Sequence, residues 1–306
     1  WSETPDQPIL WAVAARNATD LWAVGDHGAL LSGNGAGWTS GVGGTRETIN
    51  AVWAAGPSDA WAVGGTGRIL HWQGSVWGPV PSGTTRSLYG VWGDAPDRVW
   101  AGGSQGTLLR WNGTVWTPSP SGTTEPFFAV SGTGSSDVWA VGGLGTTVHW
   151  NGSSWALVPS GTSKNLYAVW AAAPNDAWAA GDLVLLHWDG TVWSSVPTTA
   201  VWRGLWGSAS NDVWAVGYQG SGVTMHWNGA QWLNVTTGST RSMYAVWGAA
   251  PNRVWAAGQL GTIRAWNGTS WSSVASPAAA DFFAIGGSGP ADVIAGGSNG
   301  NIVRGP

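Results

Sequence analysis

The sequence predicts an all-β protein, a single β-propeller domain over residues 1–306 with eight four-stranded blades of about 39 residues. Three observations predict this fold: a motif that returns at a nearly constant interval, four strand-length runs inside each interval, and chain ends that together complete one unit. A period of this length is typical of propellers and related arrays. A ring of seven blades is the alternative count.

The repeat is marked by the motif D-x-W-A-x-G. Successive copies are 36 to 41 residues apart, and the eighth copy has Ile294 in place of tryptophan. The tryptophan of the motif is found at Trp22, Trp61, Trp100, Trp139, Trp178, Trp214 and Trp255. Because the motif recurs along the whole chain, the sequence predicts one domain.

Each repeat contains four short runs separated by turn residues. In the third repeat the runs are SLYGVW (87–92), RVWAGG (98–103), GTLLRW (106–111) and TVWTPS (114–119). Such runs predict strands, and no segment has helical periodicity. In most copies Asn-Gly, Gln-Gly or Asp-Gly separates the third run from the fourth, a pair that suits a hairpin because the turn needs positive φ. Four antiparallel strands per repeat predict a propeller blade.

The chain ends predict how the ring closes. The last copy, 292–306, ends after its third run, whereas the chain begins with WSETPDQP, which matches a fourth run. Trp1 is then in register with Trp38, Trp77 and the later fourth-strand tryptophans. We therefore expect the N-terminal strand to complete the C-terminal blade, which leaves no free sheet edge between the ends.

The tryptophans follow blade positions. Positions within the four strands account for 26 of the 28, so their abundance reflects packing of the repeat. In the second strand Trp and Val alternate with two alanines, which predicts a large face that packs on the small face of the next blade. Trp11 is an exception: it occupies a first-strand slot that elsewhere holds Tyr89, Phe128, Tyr167, Tyr244 and Phe283.

Repeated acids and histidines are interpreted as structural. An aspartate opens the second strand in six repeats, which favours a side-chain-to-backbone brace at the turn, and arginine replaces it at Arg98 and Arg253. A histidine precedes the third-strand tryptophan at His71, His149, His187 and His226. With one per blade they cannot converge on a metal ion, so we expect a structural or inter-blade hydrogen-bonding role.

Composition excludes several classes of function. Only 9% of residues are charged, the net charge is -4 and Lys164 is the single lysine, so no electrostatic surface for nucleic acid or anionic membranes is expected. Cysteine is absent, and no stretch is long enough for a transmembrane helix. The off-pattern acids are scattered, and there is no nucleophile motif, arginine cluster or phosphate-binding glycine loop. No catalytic residue, metal or cofactor is predicted.

The unit D-x-W-A-V-G-x-x-G-x-I-x-H-W-N-G-x-x-W resembles two groups of glycine- and tryptophan-rich propellers. One is the bacterial sialidase-repeat-like family that includes photosystem II assembly and stability factors, and the other is the tectonin group of lectins. The resemblance covers every repeat and implies the propeller fold. The hairpin here, NGTVW or NGSSW, lacks the S-x-D-x-G-x-x-W pattern of an Asp box, and the ligand residues of neither family match positions of this chain.

The first candidate surface is the hairpin between the third and fourth strands. An indole beside an amide suits sugar recognition, because the ring packs on C–H groups while the amide pairs with hydroxyls. The alternative is that these tryptophans close the outer core. The candidate residues are Trp72, Trp77, Trp111, Asn112, Trp116, Trp150, Asn151, Trp155, Trp188, Trp193, Trp227, Asn228, Trp232, Trp266, Asn267 and Trp271.

The second candidate surface is the set of connections between blades, together with two irregular repeats. Their variable residues on a regular scaffold are expected to form one face, and such residues commonly determine binding specificity. The candidates are Arg46, Arg86, Glu125, Lys164, Arg203 and Arg241 in the connections, and Asp182, Tyr218 and Gln219 in the irregular fifth and sixth repeats.

These patterns predict a non-enzymatic binding propeller. The first hypothesis is multivalent carbohydrate recognition by repeated shallow sites, whose avidity would exceed the affinity of each site. The alternative is a protein-binding or assembly scaffold that uses the inter-blade loop face, and a glycan-active hydrolase is a third possibility. The missing initiator methionine and the low charge predict a secreted or extracytoplasmic protein.

Overall fold

The structure is a computed structural model that describes residues 8–41 and 43–305. It confirms the predicted all-β propeller: eight antiparallel sheets form a ring of eight blades, so the seven-bladed alternative is wrong. Seven sheets have four strands, and the eighth has three described strands, β29 to β31. The predicted closing strand at the N-terminus, with Trp1, lies outside the described residues.

The strands follow the predicted runs. Blades 1 to 4 contain β1–β4 (Leu10–Asn17, Asp20–Gly25, Leu30–Gly33, Trp38–Ser40), β5–β8 (Ile49–Gly56, Asp59–Gly64, Ile69–Trp72, Trp77–Pro79), β9–β12 (Leu88–Ala95, Arg98–Gly103, Leu108–Trp111, Trp116–Pro118) and β13–β16 (Phe127–Gly134, Asp137–Gly142, Thr147–Trp150, Trp155–Leu157). Blades 5 to 8 contain β17–β20 (Leu166–Ala173, Asp176–Gly181, Val184–Trp188, Trp193–Val196), β21–β24 (Val201–Ala209, Asp212–Tyr218, Gly222–Trp227, Trp232–Asn234), β25–β28 (Met243–Ala250, Arg253–Gly258, Ile263–Trp266, Trp271–Val274) and β29–β31 (Phe282–Gly289, Asp292–Gly297, Ile302–Gly305).

The first strands line a central channel. Each first strand contacts the first strands of both neighbouring blades, and β1 contacts β29, which closes the ring. Strands within a blade pair in sequence order, so the turns after the first and third strands lie at one end of the blade. We call that end the hairpin face. The turns after the second strands and the inter-blade connections lie at the other end, which we call the loop face.

The second strands form the core between blades, as predicted. Trp22 and Val24 of blade 1 pack with Ala60 and Ala62 of blade 2, and the same large-on-small contact recurs around the ring. Trp61 has no exposed surface. Burial of this much indole area contributes on the order of 2–3 kcal/mol for each side chain.

The repeated aspartate and histidine are paired within one blade. His149 Nε2 lies 2.6 Å from Asp137 Oδ1, and the Thr133 hydroxyl donates to the same carboxylate. Equivalent His–Asp pairs occur in blades 2, 5 and 6. The predicted structural role of the histidines is thus seen within blades. Asp137 differs from the expected side-chain-to-backbone brace, because its carboxylate joins side chains of the first and third strands.

The first and last blades are joined by Arg304. Its guanidinium lies 2.6 Å from Asp292 in blade 8 and donates to the carbonyl oxygens of Ala18 and Gly35 in blade 1. Together with the contact between β1 and β29, these bonds fix the seam of the ring.

Candidate functional site

Eight side chains surround the channel mouth on the loop face, one from each blade. We call this set the collar: it comprises the second residue of each first strand, or the third in β21. Its members are Trp11, Asn50, Tyr89, Phe128, Tyr167, Arg203, Tyr244 and Phe283. The preceding residue of each strand points into the blade and is fully buried, whereas every collar residue is at least partly exposed.

Every collar residue lies at a β-bulge. In blade 5, Leu166 pairs with Gly181 and Ala168 pairs with Ala180, so Tyr167 is the extra residue with no partner. The same skip occurs at the collar position of the other seven blades. A bulge bends its strand and redirects a side chain, and bulges are frequent beside functional sites. The repeated irregularity therefore aims one side chain per blade at the channel mouth.

The bulge explains the glycine that ends the motif D-x-W-A-x-G. This glycine pairs with the residue before the bulge, where the first strand passes very close. A Cβ atom on Gly142 would lie 1.8 Å from the Pro126 carbonyl oxygen, and one on Gly181 would lie 1.8 Å from that of Asn165. Glycine is therefore required for the close approach of the two backbones.

Aromatic collar side chains contact one another in two runs. Tyr89 contacts Phe128 with ring centroids 6.0 Å apart, and Phe128 contacts Tyr167 at 5.7 Å. On the other side Tyr244 contacts Phe283 at 5.5 Å, and Phe283 contacts Trp11 at 4.9 Å.

The collar lacks an aromatic ring at two positions. In blade 2 Asn50 donates to the Leu88 carbonyl oxygen at 2.7 Å. In blade 6 Arg203 stands between the two aromatic runs. The collar is therefore an aromatic surface that carries one cation.

Arg203 is held between two tyrosines. Its guanidinium carbon lies 4.3 Å from the ring centroid of Tyr167 and 5.8 Å from that of Tyr218, and Nη2 donates to the Tyr218 hydroxyl at 3.1 Å. Stacking on aromatic faces restricts the guanidinium plane.

Two carboxylates in the turns after the second strands accept hydrogen bonds from collar side chains. The Tyr167 hydroxyl donates to Asp182 at 2.8 Å, and Trp11 Nε1 donates to Asp26 at 2.8 Å. Burial raises the pKa of Tyr167 above 10.0, and the hydrogen bond to Asp182 raises it further. Burial and the charge of Asp281 raise the pKa of Tyr244. Both phenols are therefore protonated donors at neutral pH.

The collar opens into a cavity of about 530 Å³. A volume of this size falls within the range of small-molecule and short peptide sites. Its wall is aromatic except for one serine and one arginine, and it is formed by Trp11, Tyr167, Arg203, Tyr218, Ser242, Tyr244 and Phe283.

The turns after the second strands form an outer rim around the collar. One non-glycine residue in this turn has φ between 50° and 57° in seven blades: His27, Thr66, Gln105, Leu144, Leu183, Leu260 and Asn299. This left-handed conformation is unfavourable for leucine, yet Leu144, Leu183 and Leu260 adopt it and are 49% to 62% exposed. The rim is consequently most apolar in blades 4, 5 and 7.

The structure unites three of the predicted loop-face residues at the collar: Asp182, Arg203 and Tyr218. The others are on the surrounding connections and turns. Arg46, Lys164, Arg241 and Gln219 are exposed, Glu125 is half-buried, and Arg86 is exposed with its guanidinium donating to the Gln105 carbonyl oxygen.

The hairpin tryptophans of blades 2 to 5 lie in the outer core. Trp116 is 3% exposed, and its ring centroid is 5.3 Å from that of Trp61 in the preceding blade. Third-strand indoles such as Trp150 donate to carbonyl oxygens of their own blade. The buried members are Trp72, Trp77, Trp111, Trp116, Trp150, Trp155, Trp188 and Trp193, whereas Trp227, Trp232, Trp266 and Trp271 are half-buried.

The hairpin amides are exposed but already engaged. The Asn112 side-chain oxygen accepts from the backbone N–H groups of Thr114 and Val115 and from the Thr114 hydroxyl. Asn151, Asn228 and Asn267 cap their hairpins in the same way. These contacts favour the packing interpretation of the hairpin, and carbohydrate binding there stays a prediction.

Sequence reasoning did not select Trp11, Tyr244 or Phe283 as site residues. Their signal was the shared aromatic slot in the first strand, which the structure places at the collar. In residues 8–41 and 43–305 no three His, Asp or Glu side chains are grouped to hold a metal ion. Helical turns in that part of the chain are three residues long, and none could cross a membrane.

No protein-family model and no curated protein matches the sequence. Solved structures do match. YCF48 bound to D1 peptide is 16% identical with a TM-score of 0.65, covering 85% of this chain and 93% of that one. The computationally designed Ika8 protein is 13% identical with a TM-score of 0.79, covering 98% and 97%. The C-terminal WD40 domain of Sif2 is 10% identical with a TM-score of 0.77, covering 99% and 97%. At these identities the matches show the propeller fold alone.

Proposed function

We propose that this protein is a non-enzymatic binding propeller that holds a peptide segment of a protein partner at the collar. The observation that carries the proposal is the bulge in all eight first strands, which directs eight side chains to one channel mouth. A bulge interrupts the ladder of its sheet and redirects a side chain, and six of the eight side chains redirected here are aromatic.

The chemistry of the collar suits a peptide. Partly exposed aromatic side chains at the centre of a concave surface are typical anchors of protein interfaces. Trp11, Tyr244 and Phe283 provide such a surface next to Arg203. The similar structure of YCF48 was solved with a D1 peptide bound, which supports the peptide interpretation over the carbohydrate one.

The carbohydrate hypothesis has weaker support. It required the hairpin tryptophans as stacking platforms, and eight of the twelve are buried. The hairpin amides also use their oxygens within the turn. The alternative scaffold function, on the inter-blade loop face, agrees with the position of the collar.

A display experiment tests the proposal. Random dodecapeptides are selected on the immobilised full chain, and each enriched peptide is measured against Phe283→Ala and the matched hairpin variant Val115→Ala. We expect Phe283→Ala to weaken binding about ten-fold or more, as truncation of an interface anchor does, and Val115→Ala to leave it unchanged. Peptides that bind equally to both variants, or glycan-array binding that Phe283→Ala does not alter, would overturn the proposal.

A further inference from the structure

We propose that Arg203 determines the specificity of the collar, and that it binds the carboxylate side chain of an internal acidic residue flanked by apolar residues in the peptide. The inference rests on the proposed function and identifies the chemistry of its ligand. Three observations support it. The acids near the mouth already accept hydrogen bonds whereas Arg203 has donors to spare, a single arginine lines the described part of the cavity, and apolar side chains lie on the rim on either side of blade 6.

The carboxylates near the collar are already occupied by donors. Asp182 accepts from Tyr167 and Asn165, and Asp26 accepts from Trp11 and Thr48. Asp281 accepts from the Leu260 backbone N–H. These acids therefore stabilise the site itself and offer little to a cationic ligand.

Arg203, in contrast, has hydrogen-bond donors that its described neighbours do not use. A guanidinium has five N–H groups. Within residues 8–41 and 43–305, the Arg203 guanidinium donates one hydrogen bond, to the Tyr218 hydroxyl. In that same part of the chain no carboxylate forms an ion pair with Arg203. Among these described residues the guanidinium therefore keeps N–H groups for a ligand carboxylate, because the neighbouring carboxylates accept from other donors.

The guanidinium is preorganised for this contact. Stacking on Tyr167 at 4.3 Å and the bond to Tyr218 hold it in one plane, so little side-chain entropy is lost when a carboxylate binds. A carboxylate can accept two parallel N–H bonds from such a fork. Lysine, with a compact ammonium, would not reproduce this geometry.

The number of charges selects a carboxylate over a phosphate. Phosphate groups carry nearly two charges and are bound by clusters of arginines. Arg203 is the one cation among the described residues that line the cavity, and Asp26, Asp182 and Asp281 lie near the same mouth. The neighbouring acids repel a dianion more strongly than a singly charged group, so a single arginine suits a carboxylate better than a phosphate.

The rim determines which peptide residues fit on either side of the acidic residue. Blade 6 carries Arg203, and the turns of the blades on either side present Leu183 and Leu260, which are 49% and 50% exposed. A peptide that crosses the mouth with its carboxylate on Arg203 would therefore meet apolar side chains before and after that point. This arrangement favours an internal Asp or Glu over a chain terminus.

The test uses the peptides selected on the full chain, synthesised with acetyl and amide ends. We expect the selected set to share an acidic residue between apolar ones. Replacing that residue by Asn or Gln should weaken binding about ten- to a hundred-fold, as expected for a charge-assisted hydrogen bond, and Arg203→Gln should do the same. The two losses should not add when combined, because they remove one contact. Arg16→Gln, at an exposed arginine near the hairpin-face end of β1, is the control and should have no effect.

A charge reversal gives a second readout. Selection on Arg203→Glu should enrich peptides with Lys or Arg at the former acidic position. The peptide substitutions leave the protein intact, so they test the inference even if an Arg203 variant is unstable.

The outcomes separate the two proposals. Peptides that depend on Phe283 but bind Arg203→Gln with unchanged affinity would overturn this inference and leave the proposed function standing. Binding that requires a free carboxyl terminus, or that is strongest for phosphopeptides, would also overturn it. Absence of any collar-dependent peptide would overturn the proposed function itself.

Discussion

The imidazole of His149 lies on the indole of Trp139, with ring centroids 4.4 Å apart and ring planes inclined by 26°. Blades 2, 5 and 6 repeat this stack. In each case the histidine also contacts the aspartate that opens the second strand. In blades 4 and 6, where Thr133 or Ser208 of the first strand also donates to the aspartate, one small network ties the first three strands to the largest core side chain.

Removing the acid of this network should destabilise the protein. Asp137 is 2% exposed, and Asp137→Ala would leave the hydroxyl of Thr133 and the ring of His149 without their acceptor. We expect the free energy of unfolding to fall by about 3 kcal/mol, measured by chemical denaturation. Asp97→Ala, at a side chain that is 61% exposed, is the control and should have little effect. Equal stability of the two variants would contradict the role given to the network.

The hairpin indoles are expected to stabilise the ring. Trp116 is buried against Trp61 of the preceding blade, so Trp116→Ala should lower the free energy of unfolding by about 3–5 kcal/mol. The adjacent Val115 is 48% exposed, and Val115→Ala should change it by less than about 0.5 kcal/mol. A Trp116 variant with native stability would show that this indole is dispensable for packing and would reopen the carbohydrate hypothesis.

The glycine opposite the bulge permits a direct steric test. Gly142 has a φ of -174°, so Gly142→Ala introduces no strain in φ, but its Cβ would lie 1.8 Å from the Pro126 carbonyl oxygen. We expect Gly142→Ala to lower the free energy of unfolding by about 3 kcal/mol and to displace Phe128 in the collar. Gly134 in the same blade has open space around it, and Gly134→Ala is the matched control. Thermal denaturation compares the stability of the two variants. If Gly142→Ala destabilises the protein no more than Gly134→Ala does, the close approach of the two backbones is wrong.

The hairpin of blade 5 makes a prediction about pH. Asp189 accepts from the Thr191 hydroxyl and from the backbone of Val192 and Thr191, which lowers its pKa from 3.8 to about 2. The carboxylate therefore stabilises the folded state fully above pH 3.8, and that contribution is lost as the pH falls through about 2.

An NMR titration of the Asp189 carboxyl should show a midpoint near 2. Thr191→Val removes the largest cause and should move the midpoint towards 3.8, whereas Val192→Ala keeps the backbone donor and should leave it in place. A midpoint that Thr191→Val does not move would show that the hydroxyl is not the main cause.

Much of the fold follows from local patterns. The alternation of Trp and Val with alanine specifies which face of a second strand is large, and the recurrence of Asn-Gly specifies the hairpin, so blade architecture and stacking were predictable. The partner of Asp137 was not, because a turn acid can bond backbone or side chains, and His149 reaches it from the third strand.

The candidate site was only partly predictable. Arg203 stood out as a charge on a connection, but its stacking on Tyr167 joins two blades and depends on which first strands are neighbours. The bulges could not be recognised from the first strand, because the alternation shifted by one extra residue looks the same as that of a regular strand that begins one residue later. The glycine of the motif is a sign of the bulge in the sequence. Its reason, the close approach of the first-strand backbone, becomes visible only when the first and second strands are placed side by side.

The left-handed rim residues have a consequence for how such a protein can diversify. The same backbone shape recurs with His27, Thr66, Gln105, Leu144 and Asn299, so the turn tolerates very different side chains at one place. A substitution there alters what is displayed around the mouth without disturbing a packed contact. Recognition of a new partner is thus open to single-residue changes, and the same positions are natural sites for randomised libraries in binder engineering.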